Sequence, residues 1–251
     1  GFRLGFNTAI HLIGDDIRGQ FGASYAGYDL NGRDDVKENG QESHVFVTTG
    51  VYKRSNVLCC DRLSWGIVGD YLHADNWGQR GEDGIDLAQI RGQIGYALNE
   101  CNEIGLWGTG RVHTDRSRFL AGGTSPLNTI TQVNLFWHHN WEYGADTSVY
   151  VGGAEEIGSV VVGLSGQAPL SRHLAMFGNV HYIIPSTSAG DVDPNGVDNS
   201  FAEETWNVTF GIVFYPGCKA RNRTVSGHRG LPLIPVADNG TFAVETATGN
   251  L

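Results

Sequence analysis

An acidic loop in the last third of the chain has the oxygen-bearing residues that a calcium ion binds. Counted from Asp191, the first, third and fifth residues of the loop are Asp or Asn. Gly196 is the sixth residue, which is the position where calcium loops turn sharply. The twelfth position, which normally supplies an acidic ligand, is Ala202. We therefore favour a solvated acidic loop over a calcium site, and we expect no other cofactor. The candidate calcium ligands are Asp191, Asp193, Asn195 and Asp198.

The four cysteines form an even set, which is typical of proteins in an oxidising compartment. They are Cys59, Cys60, Cys101 and Cys218. Since a bond between adjacent Cys59 and Cys60 would close a strained ring, two connectivities stay open. One is Cys59–Cys101 with Cys60–Cys218, and the other is Cys60–Cys101 with Cys59–Cys218. Each disulfide would stabilise the fold by roughly 2–4 kcal/mol. A thiolate metal site is disfavoured because no Cys-x-x-Cys spacing occurs.

Three histidines could suggest acid–base or metal chemistry, but their spacing does not support it. His138 and His139 are neighbours on one predicted strand, so they point to opposite faces and cannot both reach one ion. His113 and His138 are explained more simply as polar residues inside a barrel. No Gly-x-Ser-x-Gly, paired-carboxylate or His-x-x-x-His motif is present. We therefore predict that the protein is not an enzyme.

The element that organises these residues is a hairpin at 85–115. Its first arm places Ile90, Ile94 and Leu98 on one face and polar residues on the other, and its second arm alternates again. Alternation with a period of two predicts strands with one apolar and one polar face. The polar residues that we expect to line the interior of a barrel are Arg91, Gln93, Arg111, Asn134 and His138.

The rest of the chain repeats this unit and gives about eleven arms. The connections alternate between short turns and longer polar loops, so the short turns would share one end of a meander. That is the pattern of an outer-membrane barrel, whose closure also removes exposed strand edges. We predict an all-β antiparallel up-and-down meander closed into a β-barrel of about 10–12 strands. The predicted domains are a barrel at 1–217 and an irregular C-terminal tail at 218–251, packed at the short-turn end or paired with a neighbour.

Composition restricts the classes of partner that the protein could bind. The chain has 251 residues and a formal net charge of −10, which argues against nucleic acid. It lacks an apolar run near the ~18 residues of a spanning helix, but a barrel strand needs only ~9–11 alternating residues. Aromatic residues near strand ends favour interfacial girdles over the core of a soluble sandwich. The basic cluster Lys219, Arg221 and Arg223 could meet an anionic cell-wall polymer or lipid head groups, or could simply be solvated.

Five segments carry a resemblance to a known family: RGQIGYALNECNE (91–103), NLFWHH (134–139), GADT (144–147), PGCKARNRT (216–224) and LIPVADNGTF (233–242). Through them the chain resembles a planctomycete family of predicted outer-membrane or surface β-barrel proteins with no assigned function. The resemblance spans most of the chain and supplies no catalytic residues. It implies secretion by a signal peptide and an exported β-rich body. Together with the absence of an initial Met, it implies that upstream residues could add a twelfth strand.

These patterns predict a bacterial outer-membrane β-barrel that acts as a porin-like or structural envelope protein. Its expected location is the outer membrane or cell surface, and its expected partners are outer-membrane lipid and copies of itself. The alternative is a subunit of a cell-surface assembly or fibre, in which the C-terminal tail adds a strand to a neighbour.

Overall fold

The structure is a computed structural model that describes residues 1–14, 16–28, 42–77, 83–118, 124–154, 159–184, 205–217, 219–227 and 230–246. The strands are β1 (Phe2–Ile13), β2 (Ile17–Tyr28), β3 (Glu42–Lys53), β4 (Leu63–Trp77), β5 (Asp83–Ala97), β6 (Asn102–His113), β7 (Asp115–Arg118), β8 (Thr124–Thr129), β9 (Gln132–Asn140), β10 (Asp146–Ala154), β11 (Ser159–Pro169), β12 (Leu174–Ile184), β13 (Thr205–Phe214) and β14 (Val244–Thr246). One short 3₁₀ turn covers Val57–Cys59. The described residues include no helix that is long and apolar enough to cross a membrane.

Eleven of these strands form one antiparallel sheet in the order β1-β2-β3-β4-β5-β6-β9-β10-β11-β12-β13. The all-β class and the up-and-down order predicted from the sequence are therefore confirmed. Strand β8 ends at Thr129 and β9 begins at Gln132. The connection between β6 and β9 contains β7 and β8, which join β14 in a separate three-stranded sheet.

The two faces of the large sheet differ in polarity. We call the face that contacts the C-terminal tail the inner wall and the opposite face the outer face. Strand β13 illustrates the alternation, since Trp206 and Phe210 on the outer face are 69% and 71% exposed. Inner-wall residues are mostly polar and include Arg3, Asn7, Gln20, Ser24, His44, Thr48, Asp70, Gln89, Arg91, Asn134 and His181.

A single carboxylate shows how strongly the sheet is curled. Asp238 Oδ2 accepts hydrogen bonds from Arg3 Nη1 on β1 at 3.4 Å and from Asn179 Nδ2 on β12 at 2.9 Å. In a flat sheet these strands would be roughly 43 Å apart, because nine neighbour spacings of about 4.8 Å separate them. The sheet is therefore a curled half-barrel, and no pairing joins β1 to β13 among the described residues.

The tail, residues 219–246, has two parts. Its first part lies across the short-turn end, where Val225 N donates to Glu100 O and Asn222 N donates to Gly144 O. Its second part runs along the inner wall from Leu231, beside the end of β3, to β14, which pairs with β8. Since β8 belongs to the connection between β6 and β9 at the long-loop end, the tail crosses the half-barrel from one end to the other.

Apolar packing inside the half-barrel lies toward the long-loop end. Phe242 of the tail sits in a cluster with side chains of β3, β4 and β5, and its ring meets that of Phe46 edge-on at 5.9 Å. Ala243 belongs to a second cluster. Strand β8 contributes Leu127, and the members that wall strands contribute to the two clusters are Phe46, Leu72, Ala74, Ile85, Leu87, Ala154, Val161 and Ile183.

Candidate functional site: the polar inner wall and the tail bound to it

The centre of the inner wall is a buried ion pair on adjacent strands. Arg91 on β5 and Asp70 on β4 are 3% and 2% exposed. Arg91 Nη2 donates to Asp70 Oδ1 at 3.0 Å, and Arg91 Nε lies 3.0 Å from Oδ2. Thr48 Oγ1 and Gln89 Nε2 donate to the same carboxylate at 2.7 and 3.1 Å. These contacts satisfy the buried charge from within the wall.

The wall around this pair binds the main chain of the tail. Gln20 Nε2 donates to Ile234 O at 2.9 Å, and Ile234 N donates back to Gln20 Oε1 at 3.2 Å. The Gln20 side-chain amide thus makes the pair of hydrogen bonds that the main chain of a neighbouring strand would make in a sheet. Arg91 Nη2 donates to Pro235 O at 2.7 Å, and Gln89 Nε2 donates to Thr241 O at 3.0 Å.

A turn at Asp238 fixes the middle of the tail. Asp238 Oδ1 accepts from Thr241 N at 2.9 Å and from Gly240 N at 3.2 Å, which is an Asx-type turn. Arg3 reaches the same segment, since its Nη2 donates to Val236 O at 3.1 Å and to Ala237 O at 2.7 Å. The carboxylate therefore both shapes the turn and holds the first strand of the sheet to the tail.

The entry point of the tail, at the short-turn end, is held by two residues of the β3 region. Tyr52 Oη donates to Leu231 O at 2.9 Å, and Arg54 Nε donates to the same oxygen at 3.1 Å. Arg54 Nη2 also donates to Pro232 O. Every one of these acceptors is a main-chain carbonyl, so the wall recognises the path of the tail more than its side chains.

A second charged cluster lies on the inner wall near the short turns. His138 on β9 lies 3.7 Å from Glu103 Oε2 and 3.8 Å from Asp146 Oδ1. Ser64 donates its hydroxyl to Glu103 rather than to His138. A serine nucleophile requires a base that accepts its proton. Here the acceptor is the Glu103 carboxylate, which also contacts His138, so Ser64, Glu103, His138 and Asp146 form one charge network.

The five residues predicted to line an interior are on the inner wall, where they contact different partners. Arg91 binds Asp70, and Arg111 Nε donates to Thr129 O at 3.3 Å. Asn134 is fully buried and donates to Gln132 Oε1 at 3.1 Å. His138 has the two carboxylates above, and Gln93 pairs across the sheet with Trp107. His139 lies on the outer face against Trp137 and Trp141.

The predicted calcium ligands Asp191, Asp193, Asn195 and Asp198 lie outside the described residues, so the calcium hypothesis stays a prediction. Within the described ranges, no group of three His, Cys, Asp or Glu side chains is arranged to hold a metal ion.

The described cysteines lie at the short-turn end as free thiols. Cys59 and Cys60 are in the β3–β4 connection and Cys101 is in the β5–β6 turn. Cys101 Sγ contacts the tail carbonyl of Arg223 at 3.8 Å. Both predicted connectivities required a bond from Cys101 to Cys59 or Cys60, and neither bond is present in the structure. Cys218 is outside the described residues, but its predicted partners Cys59 and Cys60 are both free thiols, so neither predicted connectivity is formed.

Sequence patterns indicated the polar face of the sheet but not its ligand. The tail has no period-two alternation, so its extended passage along the wall gave no strand signal. Gln20 and Thr48, which bind the main chain of the tail, could not be distinguished in the sequence from other polar residues that face inward. The one usable signal was Asp238-Asn-Gly-Thr241, a turn motif set between apolar residues.

Replacing Arg91 by methionine is expected to destabilise the fold by about 3–5 kcal/mol, because it leaves Asp70 buried without a cation. Denaturant unfolding measures the change. In the double variant Arg91→Met with Asp70→Asn, part of the loss should be recovered. The matched control is Lys53→Met, which breaks a partly exposed pair with Asp61 at 2.7 Å and should cost about 1 kcal/mol or less. Equal losses for Arg91→Met and Lys53→Met would contradict the buried network.

Comparison with known proteins gives one family match. Residues 1–244 match the Family of unknown function (DUF6666). No curated protein and no solved structure matches the chain. The match runs from the start of β1 to Val244, so it covers both the curled sheet and the part of the tail that lies on the inner wall. The chain therefore belongs to the Family of unknown function (DUF6666).

Proposed function

We propose that this chain is a β-barrel of a bacterial outer membrane with a structural role in the envelope. The observation that carries the proposal is the reversed polarity of the sheet. Ten of the eleven strands expose large apolar side chains on the outer face, while polar and charged residues are buried on the inner wall. Soluble monomers rarely expose contiguous apolar patches larger than a few hundred Å². A lipid environment removes the cost of that surface.

The strand lengths suit this environment. The eleven strands have 9–15 residues, against about 9–11 for a tilted membrane-crossing strand. Longer strands would extend beyond the lipid into the loops. The nine wall strands between β1 and β13 pair on both sides, so their main-chain groups are satisfied within the sheet, whereas β1 and β13 each leave one edge unpaired.

Outer-face aromatic residues form two sets near opposite strand ends. Tyr96, Trp137 and Trp141 lie toward the short turns, and Tyr25, Tyr71 and Trp206 lie toward the long loops. Tyr96 pairs with Leu63, which is eight residues from Tyr71 along β4. At about 3.3 Å per residue and the usual tilt, the two sets are roughly 20 Å apart in height. This is close to the apolar band of about 25 Å between aromatic girdles in membrane barrels.

Closure of the wall is part of the proposal. The unpaired edges β1 and β13 are the first and eleventh strands of a meander, so they run in the same direction. The contact of Asp238 with both Arg3 and Asn179 supports edges that approach each other. We propose that the gap between them is closed either by direct pairing or across one further strand.

The tail favours a structural role over an open porin. It lies along the inner wall, and its last strand pairs with β8 of the same chain. This pairing also weakens the alternative of a surface fibre, which would need the tail to be free for a neighbour. Outer-membrane lipid is accordingly the principal partner in the proposal.

Replacing Leu135 by arginine tests the membrane environment. Leu135 is 55% exposed at the middle of β9 on the outer face. An arginine there would be harmless on a soluble protein, whereas facing the bilayer centre it costs about 2–4 kcal/mol. We expect the variant to lose most of its membrane-associated, heat-modifiable form on gels after fractionation. Leu58→Arg, at an 80% exposed position in a short-turn connection, is the control. Normal assembly of both variants, or recovery of the native protein in the soluble fraction, would contradict the proposal.

Cross-linking tests closure. In a chain whose four cysteines are serine, Phe6→Cys and Phe210→Cys place thiols on the outer faces of β1 and β13. Direct pairing or one intervening strand corresponds to about 5 or 10 Å. We expect a reagent of about 10 Å to join the two thiols. Phe6→Cys with Leu135→Cys, on distant strands, should not react. If Phe6→Cys and Phe210→Cys also fail to join, the wall is open.

A further inference from the structure

We propose that the segment Leu231 to Ala243 is a plug held in the lumen through its main chain, and that its release opens a pore for small hydrophilic solutes. The inference rests on the proposed function, since a plug requires a closed wall in a membrane. It goes beyond a structural role in two ways. It assigns the inner wall a ligand, which is an extended peptide main chain, and it assigns the protein a second state in which that ligand is absent.

The first support is the kind of contact that holds the segment. Wall side chains on four strands donate to its carbonyl oxygens: Arg3, Asn7, Gln20, Tyr52, Gln89 and Arg91. Thr48 Oγ1 accepts from Ala237 N at 3.0 Å. Tail side chains also take part, since Asp238 and Asn239 contact wall residues and Ile234, Ala237 and Phe242 are buried. The wall thus binds an extended backbone through its carbonyl oxygens and adds contacts to particular side chains.

The second support is that the central charge of the wall, Asp70, is satisfied without the segment. Asp70 keeps Thr48, Gln89 and Arg91 as donors whether or not the tail is present. The groups that the tail would leave behind on the wall include guanidinium, amide and hydroxyl donors, which water can accept from. Release also separates Arg3 from Asp238 and exposes the buried apolar tail side chains Ile234, Ala237, Phe242 and Ala243, so it needs a driving force such as the urea used below.

The third support is an uncovered strip beside the segment. On β10 and β11 the inner wall carries Ser148 and Ser165, which are small and only half-buried. Thr209 on β13 is similarly half-buried. The described tail residues make no hydrogen bond to these serines or to Thr209. This part of the wall is therefore polar and partly accessible to solvent, as a path for water beside the segment requires.

The test releases the segment after folding. A protease site is inserted between Gly227 and Gly230 of the full chain, and the folded protein is cleaved in detergent, washed in moderate urea and placed in planar bilayers. Uncleaved protein should be nearly silent. Washed protein should give discrete conductance steps, and a synthetic peptide of residues 231–246 should block them in a saturable way.

The contacts predict which variants weaken the block. Gln20→Ala removes both hydrogen bonds to Ile234 without stranding a charge, so we expect the blocking concentration of the peptide to rise about tenfold. Gln93→Ala changes an inner-wall glutamine that makes no hydrogen bond to the described tail, and it should block like the parent. Equal effects of the two variants would overturn main-chain recognition by the wall.

The outcomes separate the plug from the proposed function. Washed protein that floats with vesicles but stays silent, or that conducts without being blocked by the peptide, overturns the plug and leaves the barrel standing. Uncleaved protein that conducts as strongly as washed protein also overturns the plug and leaves the barrel standing. Protein that does not float with vesicles in any form overturns the barrel and the plug together.

Discussion

A sheet that is apolar outside and polar inside is stable only when its outer face is shielded from water, and in the proposed function lipid shields it. Here the residues that a soluble fold would bury, such as Phe6, Leu135 and Phe210, are exposed, whereas Asp70 and Arg91 are buried. Because side chains alternate with a period of two, a shift of one residue in the pairing register of a strand would move all its apolar side chains to the inner wall and all its polar side chains to the outer face. The polarity of the whole wall is thus fixed by the pairing register.

Burying charge on the inner wall is tolerable only because each charge has partners. Asp70 is held by neighbouring strands, whereas Asp238 is held by β1, β12 and its own turn. The second arrangement couples the tail to the curvature of the sheet, since one carboxylate draws distant strands together. The tail is therefore both a ligand of the wall and a brace between the two sides of the half-barrel.

The alternation of the strands made the sheet predictable, and the contrast of short turns with long loops made its order predictable. Residues such as Arg91 and Asn134 were identified because inward positions follow from strand parity alone. The path of the tail was not predictable, because its hydrogen bonds run to side chains rather than to another strand. Strands β7 and β8 of the small sheet were missed because they are short, and β8 contains Pro126.

The central claim is that the outer face meets lipid, and spin labels placed singly along β13 from Thr205 to Phe214 test it most directly. Their collision rates with oxygen, which concentrates in lipid, and with a water-soluble nickel complex are measured in vesicles. The account predicts that labels at Trp206, Val208, Phe210 and Ile212 collide with oxygen and are shielded from nickel. Labels at the positions between them face the inner wall and should show no such preference for oxygen over nickel. Outer-face labels that nickel reaches as freely as an unfolded control would contradict it.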